Sequence, residues 1–327
     1  MNSLKSRWLI TFIWCVLMLG LMACSSKSQE TKDGELADKL YFFNWGENID
    51  PEILDDFKEE FGVEVVYDTF ASNQEMLTKM KSGVVTYDLI VPTDYFIEEM
   101  RKEDLLAELN MDNIPNFKYI AEELRVPSFD PGNKVSIPYL YGSTGLAYNK
   151  AKVGEITSWE ELWNPEYKGR VSVHTSAQAI YAMVLQYLGL ETTRPTDEEL
   201  ERATEIVRAL NENLHSYDNE PAAKLINEEV WVAMAYSDQA GQAMQQNPDI
   251  DYILPEEGGF LWMDNFAIPK DSPNQYTAEV FINYMLRPEV SKKLTDYIPS
   301  SNPNQGAIDL MTEEEKNNRA SYPEIPD

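Results

Sequence analysis

Short apolar runs alternate with amphipathic stretches along most of this chain, and that alternation limits the possible folds more than any other feature. Leu40-Tyr41-Phe42-Phe43, Val63 to Tyr67 and Tyr87-Asp88-Leu89-Ile90-Val91 read as strands. Between them, Asp50-Pro51-Glu52 opens a helix, with aspartate as cap and proline at the first helical position. Asn73 to Lys81 places Met76, Leu77 and Met80 on one helical face, and Phe96 to Lys102 reads as a further helix. The theme repeats with strands at Gly145 to Tyr148, Arg170 to Val173 and Val230 to Tyr236. Helices are expected at Ala177 to Leu188, Asp197 to Leu210 and Gln275 to Leu286, and Ser158-Trp159-Glu160-Glu161 reads as a capping box opening another. Such alternation predicts an α/β fold with mainly parallel sheets. Two stretches break the rhythm: 136–143 and 258–265 are aromatic, contain glycine and have no clean period. They suit segments that cross between two lobes beside a cleft.

The first 24 residues stand apart from the fold. Lys5 and Arg7 precede an apolar run from Trp8 to Leu19, too short to span a bilayer. Leu21-Met22-Ala23-Cys24 follows, and the whole reads as a secretory signal. Its ending resembles the bacterial lipobox, in which the cysteine receives lipid and becomes the new N-terminus, so Cys24 is the expected lipid attachment site. The alternative is an ordinary signal cleaved nearby, with Cys24 incidental. Residues 25–38 are polar and read as a flexible tether. Cys15 lies inside the signal, so no pair remains for a disulfide. The remaining length is enough to fold on its own core, as two domains.

A formal net charge of −29 excludes binding to a phosphate backbone, so no nucleic-acid partner is expected. Catalytic and metal chemistry find little support. His174 and His215 are the only histidines, and no zinc or calcium pattern is present. Neither a Gly-x-Ser-x-Gly elbow nor a glycine-rich phosphate loop occurs. No catalytic residue, metal or cofactor is expected. What remains is a set of aromatic and acidic residues at predicted strand ends: Trp45 with Glu47, Asp94 with Tyr95, Tyr236 with Asp238, and Trp262 with Asp264. In open α/β sheets, ligands bind at the ends of the strands. A carboxylate walled by rings suits an organic ammonium, each ring face attracting the cation by about 0.5–2 kcal/mol. Rings also cover methylene stems, at about 0.8 kcal/mol per buried CH₂. One such pair is ordinary core beside surface; four at strand ends indicate a binding site.

The pieces "LYFFNWGENIDPEIL", "YDLIVPTDYFIEEMRKEDLL", "FDPGNKVSIPYLYGSTGLAYN", "SWEELWNPEYKGRVSV", "GGFLWMDNFAIPK" and "FINYMLRPEV" occur in that order. Together they resemble the polyamine-binding receptors of bacterial ABC importers, the spermidine/putrescine family. The resemblance implies a two-lobed periplasmic-binding-protein fold of type II, each lobe a mainly parallel sheet flanked by helices, with two crossover segments at the hinge. It implies a first lobe from 39–142 and 263–303, a second from 143–262, and residues 304–327 returning to the second. The ligand would be putrescine or spermidine, the partners a membrane permease and its ATPase, and the receptor a lipid-anchored monomer in the periplasm or on the outer face of the cell membrane. The implied ligand-binding residues are Trp45, Gly46, Glu47, Thr93, Tyr95, Ser176, Tyr236, Asp238, Trp262, Asp264 and Ser300. This chain departs from the family pattern where two acids hold the far amino group, since Ser176 and Ala179 stand there. Ser300 replaces an expected tyrosine, and Asp238 is the candidate far-end acid. These changes favour a diamine over a triamine. A ligand-binding sensor of the same fold, signalling to a membrane partner without transport, is the alternative function.

Overall fold

The structure, a computed structural model, describes residues 34–46, 48–192 and 194–322. The expected signal, residues 25–33 of the tether, Cys24 and Glu47 lie outside the described residues.

β1 (Lys39–Trp45) pairs in parallel with β2 (Glu64–Phe70) on one side and β3 (Leu89–Ile90) on the other. A strand flanked on both edges and covered on both faces must be apolar almost throughout. Leu40 and Phe42 accordingly face one cluster with Phe57 and Phe281, while Phe43 faces another with Phe70, Met76 and Tyr87. The helix Pro51–Phe61 begins as its sequence dictates. The Asp50 side chain accepts from the Glu52 amide at 2.9 Å, and Gly62 closes the helix at φ 73°.

The second half repeats this plan. β5 (Val171–Val173) pairs in parallel with β6 (Leu214–Tyr217) and β7 (Val232–Tyr236). The helices Ala177–Tyr187 and Asp197–Leu210 cover one face around Trp159, Met183 and Met234. Two long strands join the halves. β4 (Ser136–Asn149) pairs antiparallel with β9 (Phe260–Ala267) and then with β7, while β8 (Ile250–Ile253) adds to β4. Among the described residues, nine strands thus form one sheet, in the order β2-β1-β3-β9-β4-β7-β5-β6 with β8 off that path. The parallel ladders lie at the two ends and the antiparallel crossing lies between them. Near the C-terminus, Gln305–Asp309 follows the helix Pro288–Tyr297, and Ala320 joins a cluster of the second half. No helix among the described residues is long and apolar enough to cross a membrane.

Several elements differ from the sequence expectation for local reasons. The strand expected at 145–148 is the end of the fourteen-residue β4. Pro138, which has no N–H to give a ladder, sits where the register slips between Pro138 and Leu140. The strand expected at 87–91 shrinks to two residues, because the Asp88 carboxylate accepts the Tyr41 amide at 2.9 Å in place of a ladder partner. The capping-box helix at Ser158 is a 3₁₀ turn, Trp159–Trp163. Asn164 precedes Pro165 and cannot continue an α-helix easily, and the Ser158 hydroxyl also donates to Glu257 at 2.5 Å. Strands β6 and β8 and the helix Ser237–Gln246 gave too weak a pattern to be expected.

Candidate functional site

Three parallel strands, β1, β5 and β7, end at Trp45, Val173 and Tyr236, and β3 leads through Pro92 to Thr93. The crossing strand β9, which carries Trp262 and Asp264, meets Thr93 after β3 and Tyr236 at the end of β7. This is where an open α/β sheet presents its ligand.

Asp264 is the centre of the cluster. It is 5 % exposed, and its carboxylate accepts from the Thr93 hydroxyl at 2.8 Å. Thr93 and Asp264 also form an isolated bridge, and the Asn265 amide donates to the Pro92 carbonyl at 3.0 Å. β9 is thereby fixed against the loop after β3. Asn73 braces that loop: its side-chain amide donates to the Thr93 hydroxyl and to the Tyr95 hydroxyl, each at 3.1 Å. The Trp45 indole N–H donates to the Val91 carbonyl at 3.0 Å. The Trp45 ring itself leans on Phe70, with centroids 4.6 Å apart. Its turn is held by Tyr67, whose hydroxyl donates to the Trp45 carbonyl at 2.8 Å, and by Tyr139, which donates to the Asn48 carbonyl.

From the other half, Tyr236 meets Trp262 edge-on at 6.1 Å and His174 at 4.2 Å. Asp238 follows in the first turn of the helix Ser237–Gln246. Gly142 makes room for this arrangement, since a Cβ there would collide with the Trp262 indole and the Ser237 hydroxyl.

The electrostatics have one sign. Burial raises the pKa of Asp264 to about 7, with the charges of Asp94 and Asp238 adding to the rise and the Thr93 hydrogen bond opposing it. Burial also raises Asp94 and Asp238, against hydrogen bonds from nearby amides. Tyr236 is pushed up to about 12 by burial and by Tyr95, Asp238 and Asp264. Among the described residues, none of the three carboxyls forms an ion pair with a lysine or arginine. Asp264 is buried, Asp94 and Asp238 are half-buried, and rings stand beside them, an arrangement that chemically suits a cation.

Of the sequence-derived site residues, Trp45, Thr93, Tyr95, Tyr236, Asp238, Trp262 and Asp264 come together here. Gly46 is exposed at the end of β1, and its carbonyl accepts from Tyr67 at 3.2 Å. Ser176 is exposed and caps the helix Ala177–Tyr187, accepting from the Ala179 amide at 3.3 Å. Ser300 is buried, its amide donating to the Ile298 carbonyl at 2.7 Å. Neither serine has a hydrogen bond to the Asp264 cluster. Sequence reasoning missed Asn73 and His174. Asn73 looked like a helix start, and His174 was weighed only as a metal ligand; its place directly after a predicted strand was the available signal.

The sequence profile of the bacterial extracellular solute-binding proteins matches residues 52–324. The spermidine/putrescine-binding periplasmic protein of Salmonella typhimurium is 33 % identical over 313 residues, spanning 94 % of this chain and 89 % of the relative. The crystal structure of the spermidine/putrescine ABC transporter substrate-binding protein of Streptococcus pneumoniae is similar with a TM-score of 0.79 at 38 % identity, over 88 % of this chain and 90 % of that one. A protein of Listeria monocytogenes described as a spermidine/putrescine ABC transporter gives 0.83 at 32 % identity, over the same shares. Fold, profile and relatives agree: the chain belongs to the bacterial extracellular solute-binding proteins, with the two-lobed type II periplasmic-binding fold.

Proposed function

We propose that this chain is an extracytoplasmic receptor that captures a polyamine, putrescine or spermidine, and delivers it to an ABC importer. The observation that carries this reading is the Asp264 cluster. Asp94, Asp238 and Asp264 are gathered among Trp45, Tyr95, Tyr236 and Trp262, and among the described residues no lysine or arginine is ion-paired with them. An alkyl diammonium supplies both missing elements, positive charge at its ends and apolar methylenes for the rings. The names of the relatives in Salmonella typhimurium and Streptococcus pneumoniae support the same ligand class and the same transporter partner. Glu47, two residues after Trp45 in the sequence, is the further acid of this reading. Ligand capture closes residues 39–142 and 263–303 upon 143–262, with β4 and β9 as the hinge. Because Ser176 and Ala179 carry no charge, the far end of the cleft has Asp238 alone as its acid, and a third ammonium there loses hydration without a full countercharge.

A calorimetric titration series with putrescine, cadaverine, spermidine and spermine tests the reading. Reversible binding at micromolar Kd or tighter is expected, about −8 kcal/mol or better, with putrescine at least equal to spermidine. Spermidine binding more than about tenfold tighter, some 1.4 kcal/mol, sinks the diamine preference. Absence of binding by all four amines sinks the reading itself.

The receptor acts as a lipid-anchored monomer in this proposal, with Cys24 the modified residue. Cys24→Ser should move the protein from the membrane fraction to the soluble or secreted fraction, because one acyl chain holds marginally but several hold firmly. Immunoblotting of the two fractions checks this, and unchanged membrane association would point to another anchor.

A further inference from the structure

His174 directly follows β5, is 1 % exposed, and has no hydrogen-bond partner at either ring nitrogen. A neutral imidazole carries one N–H donor and one lone-pair acceptor, and buried polar atoms are nearly always paired. A histidine with a purely structural role would anchor its N–H on a carbonyl or carboxylate; none is in place here. Its ring instead lies against Tyr236 at 4.2 Å, and Tyr236 in turn meets Trp262, whose Nε1 is also buried and unpaired. Three unpaired nitrogens thus flank one tyrosine ring, on a line of rings that runs from the strand of Asp264 to the end of β5.

We infer that His174 is a recognition group of the cleft, whose unprotonated ring nitrogen accepts a hydrogen bond from an ammonium group of the bound ligand. The inference rests on the polyamine reading and deepens it. An ammonium has only donors, so it matches a lone pair and not an N–H. The lone pair is free at neutral pH, because burial lowers the pKa of His174 to about 4. No acid follows β5 to take this role: Thr175 and Ser176 come next, and the Ser176 hydroxyl already accepts from the Ala179 amide. Asp238, at the end of β7, supplies the charge at this side of the cleft while His174 supplies a directed acceptor.

The two histidines make a direct experiment simple. In protein labelled with ¹⁵N-histidine, His215→Gln assigns the remaining imidazole to His174. Saturation with putrescine should shift the unprotonated His174 nitrogen alone, following the binding isotherm. Equal small changes at both nitrogens would mark a ring-current effect from Tyr236 and overturn the inference, as would no change. In parallel, His174→Leu should weaken putrescine about ten- to a hundredfold, the loss for a hydrogen bond to a charged group, and His174→Gln should recover part of it. A leucine variant within about threefold of wild type would overturn the role of His174. Wild-type protein that binds no polyamine would overturn the ligand class instead.

Discussion

Asp264→Ala is expected to weaken polyamine binding roughly a hundred- to several-thousand-fold at pH 8. Removing one partner of a buried ion pair costs about 3–5 kcal/mol, and about 1.4 kcal/mol is a decade in Kd. Asp264 meets the conditions for that range, being buried on β9 with the Thr93 hydroxyl donating to its carboxylate. In the variant, the ligand ammonium still loses its hydration on entering the cleft but finds no countercharge. Loss of folding is not the expected cause. In the empty protein Asp264 is a buried acid without a cation, so its removal should leave thermal stability equal or higher. Calorimetry on Asp264→Ala and Asp264→Asn, beside a melting curve for each, separates the two effects. Binding within about threefold of wild type would remove Asp264 from the site.

The second large effect is on pH. Burial holds the Asp264 carboxyl at about 7, against an ordinary 3.8. The folded, empty protein therefore keeps a proton on Asp264 that the unfolded chain has already lost. Stability contributed by this group is greatest below the unfolded value and falls as pH rises through about 7. The step amounts to at most about 4 kcal/mol, at about 1.36 kcal/mol per unit. A bound ammonium reverses the preference by stabilising the ionised form. Affinity should then rise about tenfold per unit between pH 5 and 7 and level off above. Below pH 7, binding should release close to one proton. Asp94 and Asp238, also raised by burial, act in the same direction. Titrations at each pH in two buffers of different ionisation heat measure the released proton directly. An affinity flat from pH 5 to 8, or a profile unchanged in Asp264→Asn, would show that Asp264 is not the titrating group.

Much of the fold was legible because its causes are local. The Asp50-Pro51 helix start, the Met76 face and the apolar Leu40 to Phe43 run all depend on neighbours within a turn or a strand, and the structure has them nearly as read. The errors arose where a distant group intervened, as when Asp88 shortened β3 or Glu257 held Ser158. The antiparallel crossing was visible only as two irregular aromatic stretches; in β4 a period-two pattern is lost because the strand is buried on both faces. The residue types of the site were equally visible: rings beside acids at strand ends. The sequence by itself determined the α/β alternation, the helix caps and the presence of rings beside acids at strand ends, all set by neighbouring residues. Tertiary structure alone decided that Thr93 bonds Asp264 across 171 residues, that Asp264 titrates near 7, and that His174 is buried with both nitrogens unpaired. Desolvation and unmet hydrogen bonds depend on which distant segments are brought together, and no local pattern encodes that.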